Sequence, residues 1–196
     1  PIDNVCGHMY TGIMAANLFI DKTKDQKFLE DQYNLTYAEL IQQFENYSCE
    51  ARFLRSFFYF ELIKRYKNVP LVTKVLTPEE AQIVKQNSFN EVVNFIVSEC
   101  DFIATKLPVS YANFSASAET GRITKGAALA LKARILLYAA SPLHNPTNDL
   151  SLWIKAANAA KEVMDMNAYV LEADYANIPN NYKSRELILE TRQGVS

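Results

Sequence analysis

Residues 50–71 read EARFLRSFFYFELIKRYKNVPL, and this stretch decides the fold class. Its apolar side chains recur every three or four residues, which is the spacing of one face of an α-helix. They form two neighbouring lines, Phe53, Phe57 and Phe60 beside Leu54, Phe58 and Leu62. Arg52 and Arg55 are predicted to lie outside that apolar face. Pro70 pushes the residue before it out of the helical region, so we predict a long core helix from Cys49 to about Tyr66.

Helical patterns cover most of the remaining chain. Only 5 Gly and 7 Pro interrupt its 196 residues, and these residue types are the main helix breakers. Ser88 and Glu91 have the spacing of a capping box, and Thr77 before Pro78 is typical of a second helix start. Besides the core helix, the predicted helices cover about 8–20, 36–44 (which either ends there or joins the core helix), a short segment from 77, 88–107, 124–140 and 151–166. Residues 169–171 and 187–190 are short and apolar, and we expect strands or extended pieces there.

Composition and charge argue against several classes of function. The net charge is -2 with no basic stripe, so no nucleic-acid partner is expected. No apolar run reaches the roughly 18 residues of a membrane helix. His8 and His144 are far apart and no cysteine has ligand spacing, so neither a metal site nor a cofactor is predicted. Cys6, Cys49 and Cys100 are expected to be buried free thiols, although they leave the redox compartment open.

A faint repeat links two of the predicted helices. Residues 51–54 read ARFL and residues 133–136 read ARIL, each on a long helix that ends before a proline. The helix at 124–140 is rich in small residues, which allow a neighbouring helix to approach closely. Paired helices of this kind favour an all-α superhelix of the tetratricopeptide type, although the strict 34-residue signature is absent.

Four stretches together resemble the SusD/RagB family. They are YTGIMAAN at 10–17, the core-helix segment at 50–71, GRITKGAALALKARILLYAASP at 121–142, and the segment from Trp153 to Ile188. Their order and spacing also match, over about residues 10–192. The resemblance implies a tetratricopeptide-like superhelix in a non-catalytic, surface-exposed lipoprotein of the outer membrane of Bacteroidetes-type bacteria. Such proteins capture glycans, or in some members peptides, for a SusC-like TonB-dependent transporter in nutrient uptake.

The resemblance also implies that the chain is a partial one. Family members normally continue well past the stretch that matches Glu186–Ile188, and they carry a lipid on an upstream cysteine. We therefore expect residues 1–196 to form a single helical lobe that lacks the lipidated N-terminus and the C-terminal ligand-binding region. Two alternatives stay open at this point. In the first alternative to glycan capture, the lobe is a scaffold that docks on the transporter without binding ligand. In the second, it is part of a helical carbohydrate-active enzyme.

Aromatic side chains flanked by amide or charged groups are the candidate ligand contacts. A sugar ring stacks its apolar side on an aromatic face, and amide or charged groups form hydrogen bonds with its hydroxyls. Tyr111, Asn113 and Phe114 lie in the predicted loop at 109–122 and fit that description. Trp153 near a helix start, close to Asn148, is the fourth candidate. For each of them, packing against a neighbouring helix is the competing interpretation.

Two arginines occupy equivalent places in the repeat. Arg52 and Arg134 are expected to pair with acids such as Glu50 or Glu61, with ligand binding as the alternative. No catalytic residue is predicted, because no G-x-S-x-G element and no phosphate-binding loop occur. A glycosidase would also need two carboxylates across a cleft, and the sequence nominates no such pair.

Overall fold

The computed structural model describes residues 4–26, 28, 30, 32–111, 121–174, 176 and 184–189. Six α-helices make up the regular structure of these residues. They are α1 (Val5–Thr23), α2 (Tyr37–Tyr66), α3 (Pro78–Ile83), α4 (Phe89–Lys106), α5 (Lys125–Ala140) and α6 (Leu150–Asp165). The predicted all-α class is therefore confirmed.

The chain forms two compact units, residues 1–106 and 107–196. In the first unit, α2 packs against both α1 and α4. In the second unit, α5 packs against α6. Each unit is thus built from long helices in direct contact, as the predicted helix pairs required.

Local side-chain caps fix where the helices begin. Ser88 and Glu91 form the predicted reciprocal cap of α4, because the Glu91 carboxylate accepts from the Ser88 amide at 2.7 Å and the Ser88 hydroxyl accepts from the Glu91 amide at 3.3 Å. Thr77 and Glu80 cap α3 in the same way. Such caps satisfy amide groups that have no partner within the helix.

Helix α2 is continuous, so the segment at 36–44 joins the core helix. Its inward face holds Phe53, Phe60 and Leu62, all of which are buried. Two expectations for this helix are wrong. Leu54 is 44% exposed, and Arg55 is only 5% exposed although we placed it outside the apolar face. Tyr59, which we did not assign to the core, is fully buried.

Four side chains hold an extended strap, which we define as residues 69–74, against α1 and α2. The Tyr10 hydroxyl donates to the Pro70 carbonyl at 2.8 Å. The Tyr59 hydroxyl donates to the Val72 carbonyl at 3.0 Å and accepts from the Val72 amide at 2.7 Å. The other two holding side chains are Asn17, which donates to the carbonyls of residues 72 and 74, and Arg55, which donates to the carbonyl of residue 73. Among the described residues, the β pairing consists of one isolated antiparallel bridge, between residues 69 and 87.

A buried ionic cluster joins α2 to α4. Glu99 of α4 accepts two hydrogen bonds from the Arg52 guanidinium, at 3.0 and 2.6 Å, and one from Arg55 at 2.8 Å. Arg55 also donates to the Asn17 side-chain oxygen at 2.7 Å. Arg52 was therefore correctly expected to pair with an acid, but the acid is Glu99 rather than Glu50 or Glu61. Because the Glu99 carboxylate accepts these three hydrogen bonds, the buried charge of Arg55 beside it is tolerated.

Small residues allow close packing in the second unit. Gly126, Ala127 and Ala128 of α5 are buried. A Cβ atom on Gly126 would lie 1.9 Å from the Tyr169 hydroxyl oxygen, so glycine is needed there to admit the tyrosine ring. Residues 169–171 and 187–189 are extended or irregular pieces. A hydrogen bond from the Val170 amide to the carbonyl of residue 185 links the first piece to the turn that precedes the second.

The cysteines are free, as predicted. Cys49 and Cys100 are buried, whereas Cys6 is only half-buried. Burial raises the pKa of the Cys49 thiol, which makes its reactive thiolate form less accessible.

Candidate functional site

Tyr111 lies at the start of the loop that we proposed for ligand contact. Its side chain is buried, with 8% of its surface exposed. The hydroxyl donates to the Ile123 carbonyl at 3.2 Å, and the Arg122 guanidinium lies 5.3 Å from the ring centroid. These contacts join the two ends of the loop at 109–122. Burial favours the packing interpretation of Tyr111, and its role in ligand contact stays a prediction.

Asn113 and Phe114, the other two candidates in this loop, lie outside the described residues. Their role in ligand contact stays a prediction.

Trp153 is held at the first turn of α6. Its ring is half-buried, and its indole Nε1 donates to the Asn148 side-chain oxygen at 3.1 Å. Asn148 has a φ of 51°, a left-handed conformation that asparagine tolerates better than most residues. Asp149 caps the helix by accepting from the Ser151 amide at 2.8 Å. The predicted proximity of Trp153 and Asn148 is therefore confirmed by a direct hydrogen bond.

The Asp149 carboxylate at the N-cap of α6 is hydrogen-bonded to Ser151. Hydrogen bonds from the backbone amide and hydroxyl of Ser151 lower the pKa of Asp149. The start of α6 thus carries an aromatic ring whose indole is hydrogen-bonded to Asn148, and a carboxylate at Asp149 whose two oxygens accept from Ser151.

The two arginines of the repeat have different surroundings. Arg52 is committed to Glu99 and also lies over the Phe102 ring, with its guanidinium carbon 4.1 Å from the ring centroid. Arg134 is exposed on α5. The repeat thus places only one of the two in a buried ion cluster.

A groove of about 530 Å³ lies between α1 and α2. We call it the α1–α2 groove. Its small lining residues are Gly12, Ala15, Ala16 and Ala51, and its large ones are Phe19, Phe44, Tyr47, Leu54 and Phe58. Glu50 is the one charged residue in that lining. The volume is within the usual range of ligand sites, but so apolar a surface offers little to the hydroxyls of a sugar. Sequence reasoning missed this groove, because its residues follow ordinary helical spacing.

Among the described residues, no group of three or more histidine, cysteine or acidic side chains could hold a metal ion. Within the same residues, no helix is sufficiently long and apolar to span a bilayer.

Comparison with known proteins identifies the family. The sequence profile of a SusD-like family, described as starch-binding and associating with the outer membrane, matches residues 2–137. The chain belongs to the SusD-like family. This result confirms the resemblance that the four sequence stretches indicated.

Individual SusD-like relatives agree with this assignment. A SusD-like protein of Formosa agariphila is 20% identical over 182 residues, which cover 92% of this chain and 30% of the relative. The crystal structure of a SusD-like protein from Bacteroides fragilis has a TM-score of 0.78 at 28% identity and covers 98% of this chain and 34% of that one. A SusD-like carbohydrate-binding protein from the same species has a TM-score of 0.69 at 28% identity, covering 89% and 29%.

These comparisons also establish the fold type. The predicted tetratricopeptide-like helical class is confirmed by the solved SusD-like structures. The chain spans about a third of the length of the relatives it matches.

Proposed function

We propose that this chain is the helical lobe of a non-catalytic protein that captures glycans at the outer membrane and passes them to a SusC-like TonB-dependent transporter. The observation that supports this proposal most is the family match over residues 2–137, because the family is described as starch-binding and outer-membrane-associated. The carbohydrate-binding relative from Bacteroides fragilis supports the ligand class. In this proposal residues 1–196 belong to a longer, lipid-anchored protein.

Capture in this proposal involves no bond chemistry. Trp153 offers an aromatic surface whose orientation is fixed by the hydrogen bond to Asn148. The C–H side of a sugar ring packs against such a surface, and its hydroxyls donate to oxygen acceptors such as Asp149. Tyr111 contributes by anchoring the loop that carries Asn113 and Phe114, which stay predicted contacts.

Native affinity electrophoresis tests the ligand class. The purified chain is run through gels that contain starch, laminarin or another soluble glycan, and retardation reports binding. We expect retardation by at least one glycan, and a loss of about 10-fold or more in affinity on Trp153→Ala, since stacking on an aromatic ring is worth one to a few kcal/mol.

Ile154→Ala is the matched control. Ile154 follows Trp153 on α6 and is 59% exposed, so its truncation removes apolar surface without removing the ring. Equal effects of the two substitutions would argue against a specific role for Trp153. Release of reducing ends from any of the glycans would instead favour the enzyme alternative.

The transporter partnership needs its own test. The chain is mixed with a detergent-solubilised SusC-like barrel from the same source, and the two are passed through a size-exclusion column. Co-elution without glycan retardation would favour the scaffold alternative. Elution of the two proteins apart would count against transporter docking by this lobe.

A further inference from the structure

Residues 141–149 connect α5 to α6 and include Asn148, which accepts the hydrogen bond of the Trp153 indole. Within this connection Asn145 is buried, with 4% of its surface exposed, although asparagine is usually found at protein surfaces. A buried amide side chain lowers stability unless its polar atoms have partners. The partners of Asn145 therefore indicate its role.

Both polar atoms of the Asn145 side chain bind the main chain. The side-chain oxygen accepts from the Asp149 amide at 2.8 Å, and the side-chain nitrogen donates to the Asp149 carbonyl at 3.1 Å. The same nitrogen donates to the carbonyl of Ala140, the last residue of α5, at 3.3 Å. One side chain thus joins the end of α5 to the residue that caps α6.

The main chain of Asn145 also holds Asn148. The Asn145 carbonyl accepts from the Asn148 amide at 3.0 Å. The left-handed φ of 51° at Asn148 is less favourable than a right-handed one, and such a conformation persists only where surrounding contacts fix it. Asn145 supplies two of these contacts, to the amides of residues 148 and 149.

The Trp153 indole needs an acceptor that is already in place. Its hydrogen bond to the Asn148 side-chain oxygen is exposed, and water competes for both groups, so the bond itself contributes little free energy. The Asn148 side chain is exposed as well, so its direction follows from its backbone conformation. The orientation of the indole therefore depends on what fixes the backbone of Asn148.

We propose that Asn145 is a positioning residue for the Trp153 ring. It fixes the backbone of residues 148 and 149, and Asn148 then orients the indole. The contribution of Asn145 to glycan capture rests on the proposed function, in which the Trp153 ring packs against a sugar, whereas the orientation of the ring does not. A residue that merely closed the connection between α5 and α6 would affect stability and leave the indole hydrogen bond unchanged.

The indole N–H gives a direct measurement, because Trp153 is the only tryptophan in the sequence. A proton–nitrogen correlation spectrum therefore contains one indole cross-peak. Asn148→Gly removes the acceptor and tolerates the positive φ, so it gives the chemical shift and the solvent-exchange rate of the released indole. We expect Asn145→Ala to move the cross-peak towards that shift and to accelerate exchange. The double variant should exchange as fast as Asn148→Gly alone, since the two residues act through the same contacts.

Asn46→Ala is the matched control. Asn46 is another buried asparagine, 1% exposed, and it accepts from the Gln42 side chain within α2. Its truncation lowers stability in the same way but should leave the indole cross-peak in place. If Asn145→Ala does not fold, hydrogen exchange of the parent chain provides the second measurement. The Asp149 amide should exchange slowly there, because its acceptor is the buried oxygen of Asn145.

Three results would each overturn the positioning role. They are an unshifted indole cross-peak in folded Asn145→Ala, indole exchange in the double variant that is faster than in Asn148→Gly, and an unprotected Asp149 amide in the parent.

Glycan affinity tests the link to capture. In a gel whose glycan retards the parent, Asn145→Ala should weaken binding by about 3- to 10-fold, and Trp153→Ala should weaken it more. A parent that no glycan retards would contradict the proposed function, while a shifted indole cross-peak would still support the positioning role.

Discussion

Replacing Glu99 with alanine removes the carboxylate that joins two arginines between α2 and α4. The Glu99 side chain is 8% exposed and the Arg55 side chain 6%, so water cannot readily replace the lost partner. Arg52 is 28% exposed and can turn partly towards solvent. The main cost therefore comes from Arg55, which is left as a buried cation without its anion.

The expected loss in free energy of unfolding is about 3–5 kcal/mol, the cost of removing one partner of a buried ion pair. This is a large fraction of the roughly 5–15 kcal/mol that stabilises a typical domain. Glu99→Gln keeps one oxygen acceptor and the same shape, so its loss should be smaller. The order of stability should therefore be parent, glutamine variant, alanine variant.

Urea unfolding followed by circular dichroism at 222 nm measures these differences. With a slope of about 1–2 kcal/mol per molar urea, the alanine variant should unfold at a urea concentration lower by about 2 M or more. Asp21→Ala is the control, because it removes an acid from an exposed ion pair with Lys24 in the same unit. Its unfolding should match that of the parent. A loss below about 1 kcal/mol for Glu99→Ala would refute the assignment of this cluster as a structural centre.

Three further predictions concern the strap and the helix caps. Burial raises the pKa of Tyr59 from 10.0 to about 12, so the folded state keeps a proton that the unfolded chain loses first. Its stabilisation should be complete below pH 10 and fall by about 2–3 kcal/mol as the pH rises to 12, and Tyr59→Phe should flatten this decline in alkaline unfolding curves. Hydrogen bonds from the hydroxyl and amide of Ser88 lower the pKa of Glu91. The capping contribution should therefore be present above the unfolded pKa and lost as the pH falls through the lowered one, and Ser88→Ala should show less of this loss in acid unfolding. Asn17→Ala removes a donor from the carbonyls of residues 72 and 74 and an acceptor from the buried Arg55 guanidinium. Tyr59 still donates to the residue 72 carbonyl, and Arg55 to that of residue 73. The substitution should cost about 2–4 kcal/mol and accelerate hydrogen exchange at the Val72 amide, and unchanged exchange there would argue against the role of Asn17 in holding the strap.

Local signals account for the helix boundaries that the sequence predicted well. Pro70, the Ser88 cap and Thr124 each act within a few residues of the helix end that they define. The junction near residues 45–48 was left open, because its polar residues interrupt the apolar pattern. In the structure Asn46 is buried inside the continuous helix and accepts from the Gln42 side chain at 3.1 Å, which satisfies a polar group that otherwise favours a helix end.

Long-range contacts account for what the sequence did not predict. Arg55 and Glu99 are 44 positions apart, and nothing next to either residue distinguishes a buried arginine from an exposed one. The Tyr111 ring likewise turns inward because of Ile123, which is 12 positions away. By contrast, Trp153 and Asn148 are 5 positions apart around a helix start, and their proximity was predictable.

The strap is held by hydrogen bonds to its main chain, so substitutions of its own side chains leave those bonds in place. The tyrosine, asparagine and arginine groups that hold it bind carbonyl oxygens and one amide, which every residue type except proline supplies in full. Thr73 and Lys74 are themselves exposed. A library randomised at 73 and 74 should therefore yield many folded sequences, whereas one randomised at 17 and 59 should yield few. Positions 17 and 59, within α1 and α2, would then tolerate few substitutions, whereas the strap that they hold would tolerate many.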